Sequence, residues 1–245
     1  MPSPILAPPP SLAEGAALFL DFDGTLVELA ETPQAIRVSP ALDSLLSRLS
    51  HRLHGRLAIV SGRAIADLER HLDCSAVAVS GSHGLELRLR DGTELPLAAP
   101  AGLAEARREV DRFAASVAGL LAEHKPYGVA LHFRRAPERA ESARSFMEAL
   151  AANAGLVVQT GKMVVELRPG GADKGDAVRA FMAEPEFAGA RPVFVGDDVT
   201  DESAFEAAAG LGGAGILVGP PRATAALWRL DGVAAVAAWL GEEAR

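Results

Sequence analysis

The sequence predicts a doubly wound α/β core, its sheet mostly parallel and Rossmann-like, interrupted midway by a smaller α+β unit. Three features of the 245-residue chain point there. Short apolar runs at 16–20, 57–60, 77–80, 191–196 and 215–219 have the character of strands buried on both faces. Segments with apolar residues at helical spacing lie between several of them. Between about residues 85 and 168 alternating apolar and polar positions take over, the mark of antiparallel strands with one wet face.

The first run, Ala16–Leu20, passes at once into Asp21-Phe22-Asp23-Gly24-Thr25-Leu26. Carboxylates two positions apart share a side if extended geometry persists, and Gly24 lets the backbone turn after them. Ligands of open α/β sheets sit beyond the carboxyl ends of the strands. Adjacent carboxylates repel unless a proton or a cation relieves them, and a hard oxygen-ligand cation such as Mg2+ suits that need. An isolated Asp-x-Asp could equally cap a helix; here the other strand ends weigh against that. Ser39 caps a helix expected from Pro40 to Ser50, with Leu42, Leu45, Leu46 and Leu49 along one face. His51 and His54, among basic residues, read as solvated surface. Leu57–Val60 ends in Ser61-Gly62-Arg63, where a hydroxyl and a backbone N–H can meet a phosphoryl oxygen or simply cap a helix over 64–71. Val77–Ser80 ends in Gly81-Ser82-His83-Gly84.

Next, Leu85–Arg90 and Glu94–Leu97 flank an Asp91-Gly92 turn, a hairpin signal. A long amphipathic helix is expected over 102–123, a strand at 128–134, a helix at 137–152, and strands at 156–160 and 163–168 joined at Gly161-Lys162. Period two puts Glu166 and Arg168 on one face of their strand, and His132 and Arg134 on one face of theirs. Pro169-Gly170-Gly171-Ala172-Asp173 leads back to the core, where a helix starts at Lys174. The run Arg191–Gly196 ends in Asp197-Asp198; a short helix over 201–209, the last strand and a helix over 231–243 follow. The expected divisions are an extended Pro-rich tail (1–15), a first core part (16–101), the inserted unit (102–170) and a second core part (171–245). Lys174 precedes Gly175 and Asp176, so the segment is not a P-loop, and Gly210–Gly215 precedes a strand where a dinucleotide fingerprint would follow one.

Composition bounds the function. Apolar residues make up 49% and charged residues 23%, as in ordinary globular proteins. A formal charge of −8 does not favour a nucleic-acid surface. Cys74 is the sole cysteine, so no intramolecular disulfide forms. The first ten residues hold five prolines and no basic residue, unlike a secretory signal, and no apolar run approaches the ~20 residues that span a bilayer. A cytoplasmic enzyme, without nucleic-acid or membrane partners and monomeric, is expected.

Asp21-Phe22-Asp23-Gly24-Thr25-Leu26 resembles the nucleophile motif of the haloacid-dehalogenase-like phosphohydrolases. Gly196-Asp197-Asp198-Val199-Thr200-Asp201-Glu202 resembles the acidic metal motif of one branch, the trehalose-6-phosphate phosphatases. Ser61-Gly62-Arg63, Gly81-Ser82-His83-Gly84-Leu85-Glu86 and Lys174-Gly175 stand between them in that branch's order. The resemblance, over roughly 16–240, implies that the inserted unit is a cap domain and that the chain hydrolyses trehalose 6-phosphate through an aspartyl-phosphate. It implies Asp21 as nucleophile and Asp23 as general acid and base; the residues alone do not choose which aspartate attacks. Mg2+ would be held by Asp21, the Asp23 carbonyl and Asp197, with Asp198 or Asp201 acting directly or through water. Phosphate contacts fall to Ser61, Gly62 and Lys174, and sugar contacts to Glu166, Lys125, His132, Arg134, Arg168 and His83. Other readings are a sugar or sugar-acid phosphatase acting on mannosyl-glycerate phosphate or sucrose phosphate, and a phosphosugar-binding module without turnover. Retention of both Asp21 and Asp23 speaks against the last. No stretch is long enough to be a companion glycosyltransferase domain, so coupling to trehalose-6-phosphate synthase is expected to be through a separate protein.

Overall fold

The computed structural model describes residues 6–29, 36–95, 102–125, 127–161, 163–170 and 173–245, with Lys125 and Gly161 described in their backbone alone. Expectations that fall partly outside the described residues are the tail at 1–5, Pro96 and Leu97 of the hairpin, Lys162, and Gly171-Ala172 of the re-entry segment. In chain order the elements are β1 (Ala16–Leu20), α1 (Pro40–Arg52), β2 (Leu57–Val60), α2 (Ile65–Leu68), β3 (Ala78–Gly81), β4 (Glu86–Arg88), α3 (Leu103–Ser116), β5 (Leu121–Lys125) and β6 (Gly128–His132). Then come α4 (Ala140–Ala154), β7 (Leu156–Gly161), β8 (Val164–Pro169), α5 (Lys174–Ala183), β9 (Arg191–Gly196), α6 (Glu202–Gly210), β10 (Ala214–Val218), β11 (Trp228–Leu230) and α7 (Val233–Glu243). They divide into two compact units, residues 1–97 with 172–245, and residues 98–171.

The first unit is a seven-stranded sheet in the order β11-β10-β9-β1-β2-β3-β4. Every neighbouring pair is parallel except β3 with β4. β1 is wholly buried because both its faces are covered. Leu18 and Leu20 join the cluster of Leu42, Leu46 and Leu49 from α1 and Val236 and Leu240 from α7. Ala17 and Phe19 join Ala177, Val178 and Phe181 of α5 and Ala204 and Phe205 of α6. Phe19, Phe181 and Phe187 stack with centroids 5.7–6.3 Å apart, and full burial of each such ring contributes about 1.5–3 kcal/mol. The strand order reverses at β1, which has β2 on one side and β9 on the other. A crevice therefore opens at its carboxyl end, the place where such sheets bind ligands.

Two features of this unit go beyond the sequence reading. The ribbon expected over 85–97 joins the core sheet: β4 adds antiparallel to β3, with Gly81 opposite Glu86, and a bridge from Arg88 to Glu94 pairs the returning chain. β11, only three residues long, is too short to show a period and was not expected.

The second unit is a four-stranded antiparallel sheet, β5-β6-β8-β7, with two helices. Leu103, Ala106 and Val110 of α3 and Ala143, Met147 and Ala151 of α4 bury Val129, Leu131, Val165 and Leu167 on one face. The helix expected to reach residue 123 stops at Ser116, and residues 121–125 become the edge strand β5. Apolar residues continue past the helix end at Val117, Leu120 and Leu121, which carried the periodicity too far. Gly119 breaks it: its φ is +88°, and a Cβ there would press on the Arg135 carbonyl at 3.0 Å. Among the described residues no helix is long and apolar enough to cross a membrane.

Candidate active site

Asp21 is the first residue past β1, and its N–H donates to the Val195 carbonyl at 2.9 Å, so the pairing with β9 holds it at the switch point. It is 3% exposed. Oδ1 accepts from Lys174 Nζ at 2.7 Å, and Oδ2 has a long 3.5 Å contact from the buried Thr25 hydroxyl. Lys174 opens α5, whose start is fixed by a capping box between Asp173 and Asp176. The same ammonium donates to Asp201 Oδ1 at 2.6 Å. Asp201 is fully buried, and its other oxygen accepts the Asp198 N–H at 2.9 Å.

Asp197, at the end of β9, completes the group. One carboxylate oxygen from each of Asp21, Asp197 and Asp201 lies within 4.8 Å of the others. Gly24, with φ +78°, is required here, because a Cβ would run into the Asp197 carboxylate. Burial pushes the Asp21 carboxyl well above the usual range; Lys174 pulls it down and the Asp201 charge raises it again. Burial, then the Asp201 charge, raises Asp197. Burial works against the Lys174 ammonium, yet Asp21 and Asp201 outweigh it and hold its pKa above the ordinary lysine value. Three carboxylates thus face one ammonium, and Asp197 Oδ1 is buried with no hydrogen-bond partner. An orphaned buried oxygen among hard donors fits Mg2+, whose charge would relieve the excess.

Asp23 takes a different partner. The strand ends at Leu20, the chain turns through Gly24, and the shared side anticipated for Asp21 and Asp23 gives way to two separate anchorages. Arg63 grips Asp23 with two bonds, Nε to Oδ2 at 2.6 Å and Nη2 to Oδ1 at 2.8 Å. Its Nη1 reaches Asp67 at 2.8 Å, and the guanidinium lies 5.8 Å from the Phe22 ring centre. Arg63 has no role in the sequence reading; its position in Ser61-Gly62-Arg63 was the available signal. Ser61 is buried beside it, its Oγ accepting the Arg63 N–H at 3.1 Å.

The Gly81–Glu86 segment braces this turn. His83, exposed and left-handed at φ 56°, sets its ring where a Gly62 Cβ would go, and its N–H donates to the Ser61 carbonyl at 3.0 Å. Glu86 accepts from the Ser82 hydroxyl and from the Ile65 N–H. A Cβ on Gly84 would strike the Asp173 carbonyl, so the segment also abuts the cap of α5. Asp198 stands outside the carboxylate trio. Its side chain caps the Val199–Asp201 turn and accepts from Thr200 at 3.1 Å. Against partial desolvation, the Val199 N–H and Thr200 hydroxyl hold its carboxyl below the usual range.

The remaining candidates lie in the second unit. Glu166 pairs in register with Ala130 and with Gln159, and its Oε1 lies 3.2 Å from where a Gly128 Cβ would be. His132 Nε2 meets Glu123 Oε2 at 2.6 Å. Arg168 Nε is buried without a hydrogen-bond partner. Arg134 is exposed and lies past the end of β6, and the side chain of Lys125 is outside the described residues.

An acidic cluster able to hold a cation, and an ammonium beside a buried carboxylate, at the crevice of such a sheet, are what phosphoryl transfer to an anionic ester requires. That site on this topology defines a phosphohydrolase of the haloacid-dehalogenase-like superfamily. The family model described as trehalose-phosphatase matches residues 19–233, and the chain belongs to that family. It is 45% identical over 207 residues to "Probable trehalose-phosphate phosphatase" of Sinorhizobium fredii, covering 84% of this chain and 78% of that one. It is 35% identical over 233 residues to "Trehalose-6-phosphate phosphatase" of Escherichia coli, covering 94% and 87%. The solved trehalose-6-phosphate phosphatase of Aspergillus fumigatus superposes with a TM-score of 0.66 at 26% identity, covering 94% of this chain and 93% of that one.

Proposed function

We propose that this protein hydrolyses trehalose 6-phosphate to trehalose and phosphate, in a Mg2+-dependent reaction through an aspartyl-phosphate. The observation that carries the reading is the Asp21, Asp197 and Asp201 trio at the switch point of a trehalose-phosphatase family chain. Asp21 is the nucleophile. Lys174 occupies its Oδ1, which leaves Oδ2 to attack phosphorus as the bond to the sugar oxygen breaks. Asp23 is held by Arg63 through both oxygens; once one of them leaves the guanidinium and carries a proton, Asp23 gives that proton to the departing alkoxide and then takes one from the water that releases phosphate from Asp21. Ser61 and the Gly62 N–H donate to the phosphoryl oxygens. Asp21, the Asp23 carbonyl, Asp197 and Asp201 would hold Mg2+, with Asp198 acting from the adjacent turn, and the ion would supply charge screening between nucleophile and substrate.

In this reading residues 102–170 form the cap, set into a core of 16–101 and 171–245 after a tail at 1–15. Glu166, Lys125, His132, Arg134 and Arg168 from the cap, with His83 from the core, bind the sugar. The enzyme is a cytoplasmic monomer fed by a separate trehalose-6-phosphate synthase. The buried Cys74, whose thiol burial pushes up to about 11, suits a packed rather than a reactive cysteine. Phosphate release from trehalose 6-phosphate in Mg2+ tests the function. It should stop in EDTA and exceed release from mannosyl-glycerate phosphate or sucrose phosphate; full turnover without metal, or a flat response to all three, refutes it.

Glu166 decides the disaccharide specificity. If it accepts sugar hydroxyls in an enclosed site, Glu166→Ala strands those donors at a cost of roughly 1–3 kcal/mol. That is about 5- to 150-fold in kcat/KM for trehalose 6-phosphate. p-Nitrophenyl phosphate has no second sugar ring, so its hydrolysis should hardly change. An unchanged ratio between the two substrates in the folded variant removes Glu166 from recognition.

A further inference from the structure

We infer that Arg222, on a loop outside every motif of the sequence, is a positioning residue for the metal ligands Asp197 and Asp201; this rests on the Mg2+ reading above. The loop after β10 runs Gly219-Pro220-Pro221-Arg222. A left-handed glycine at φ +95° and two prolines of fixed φ limit how it can approach. From it, Arg222 Nη2 donates to the Asp198 carbonyl at 2.8 Å, while Nη1 pairs with the Glu202 carboxylate and donates to the Ala223 carbonyl at 3.2 Å. Glu202 Oε2 is held in turn by the Ala225 N–H at 2.8 Å and the Thr224 hydroxyl at 3.2 Å.

One guanidinium therefore fixes the residue after Asp197 and the residue after Asp201. Between its two anchor points lie only Val199, Thr200 and Asp201. Val199 is 69% exposed and Thr200 is exposed, so no apolar burial of either pins the turn. The Asp198 backbone is the lever. Its carbonyl accepts both Arg222 and the Asp201 N–H at 3.1 Å, and its N–H, in the preceding peptide group, donates to Asp201 Oδ2 at 2.9 Å. Movement of that residue's backbone would displace Asp197, which precedes it, and turn the Asp201 carboxylate. Partners one step removed from a metal commonly set the orientation of its ligands.

Charge and geometry predict opposite signs. Arg222 is a cation near a cation site, so if only its charge mattered, Arg222→Ala would tighten metal binding. If positioning dominates, binding weakens. The experiment is Mn2+ binding to the full chain, read from the free-ion EPR signal, with half-activating Mg2+ measured in parallel. Arg222→Ala should raise the Mn2+ Kd and the half-activating Mg2+ about tenfold, the lower end for an outer-shell partner. Arg222→Lys keeps the charge but cannot span both acceptors, and should fall between wild type and Arg222→Ala. An unchanged or lower Kd in folded Arg222→Ala overturns the inference, as does wild-type affinity in Arg222→Lys should the alanine variant not fold. Asp197→Asn separates the two readings: if it binds Mn2+ like wild type, or wild type binds none, the metal site itself is refuted and Arg222 positions nothing.

Discussion

Asp21→Asn should abolish turnover while the protein stays folded. The amide is nearly isosteric, its carbonyl can still accept the Lys174 ammonium, and Lys174 keeps Asp201 as a charged partner. What is lost is the anionic oxygen that attacks phosphorus. Removing a covalent nucleophile leaves only what the remaining donors achieve, so kcat should fall by more than about 10⁴-fold. Wild-type protein quenched during turnover should carry phosphate on the peptide containing Asp21, detectable by mass spectrometry, and the variant should carry none. A folded Asp21→Asn enzyme that keeps more than about a thousandth of wild-type kcat would fall short of that loss and remove Asp21 from the role of nucleophile.

How much of this was legible in the sequence depends on how local each cause is. β1 and its terminal aspartate were readable because burial on both faces demands an unbroken apolar run, and that run ends abruptly at Asp21. The same kind of reading failed for residues 117–123, where apolar side chains follow the helix without a break and a single left-handed glycine at 119 redirects the chain into β5. β4 was legible as a strand but not as part of the core sheet, since alternation does not say which edge a strand joins. The acidic turn after β9 was legible as a metal candidate, yet not that Asp201 would be buried with Asp21 and Asp197 while Asp198 caps the turn. The Asp23–Arg63 clamp joins residues 40 apart and the Asp21–Lys174 bond residues 153 apart. No periodicity encodes such pairs; they follow from which strand ends the topology gathers at the switch point. Arg222 is the extreme case, an arginine in a proline-bearing loop whose partners become visible only when β10 lies beside β9.

Lys174→Met should destabilise the metal-free protein by about 3–5 kcal/mol, the scale for removing one partner of a buried ion pair. Methionine can occupy the space of the lysine stem, so the loss isolates the charge. The ammonium sits between Asp21 Oδ1 and Asp201 Oδ1, and without it three neighbouring carboxylates have no counter-charge. The sign of the linkage makes neutral pH the right place to look. The folded-state pKa of Lys174 is raised, so its contribution is fully present below the unfolded lysine value of about 10.4 and is lost only as pH rises through the higher folded value. Activity should fall as well, by about 10²–10³-fold, as for other single donors at a developing charge. Mg2+ supplies the distinguishing measurement. A ligand that binds only the folded state stabilises it by mass action. With the competing ammonium gone, the carboxylates should bind Mg2+ more tightly, so the rise in Tm between EDTA and Mg2+ should be larger for Lys174→Met than for wild type. If thermal unfolding in EDTA gives the variant a Tm like that of wild type, or if Mg2+ raises both equally, the ammonium is not what balances the carboxylates, and the excess negative charge would have to be relieved by protons on Asp21 and Asp197.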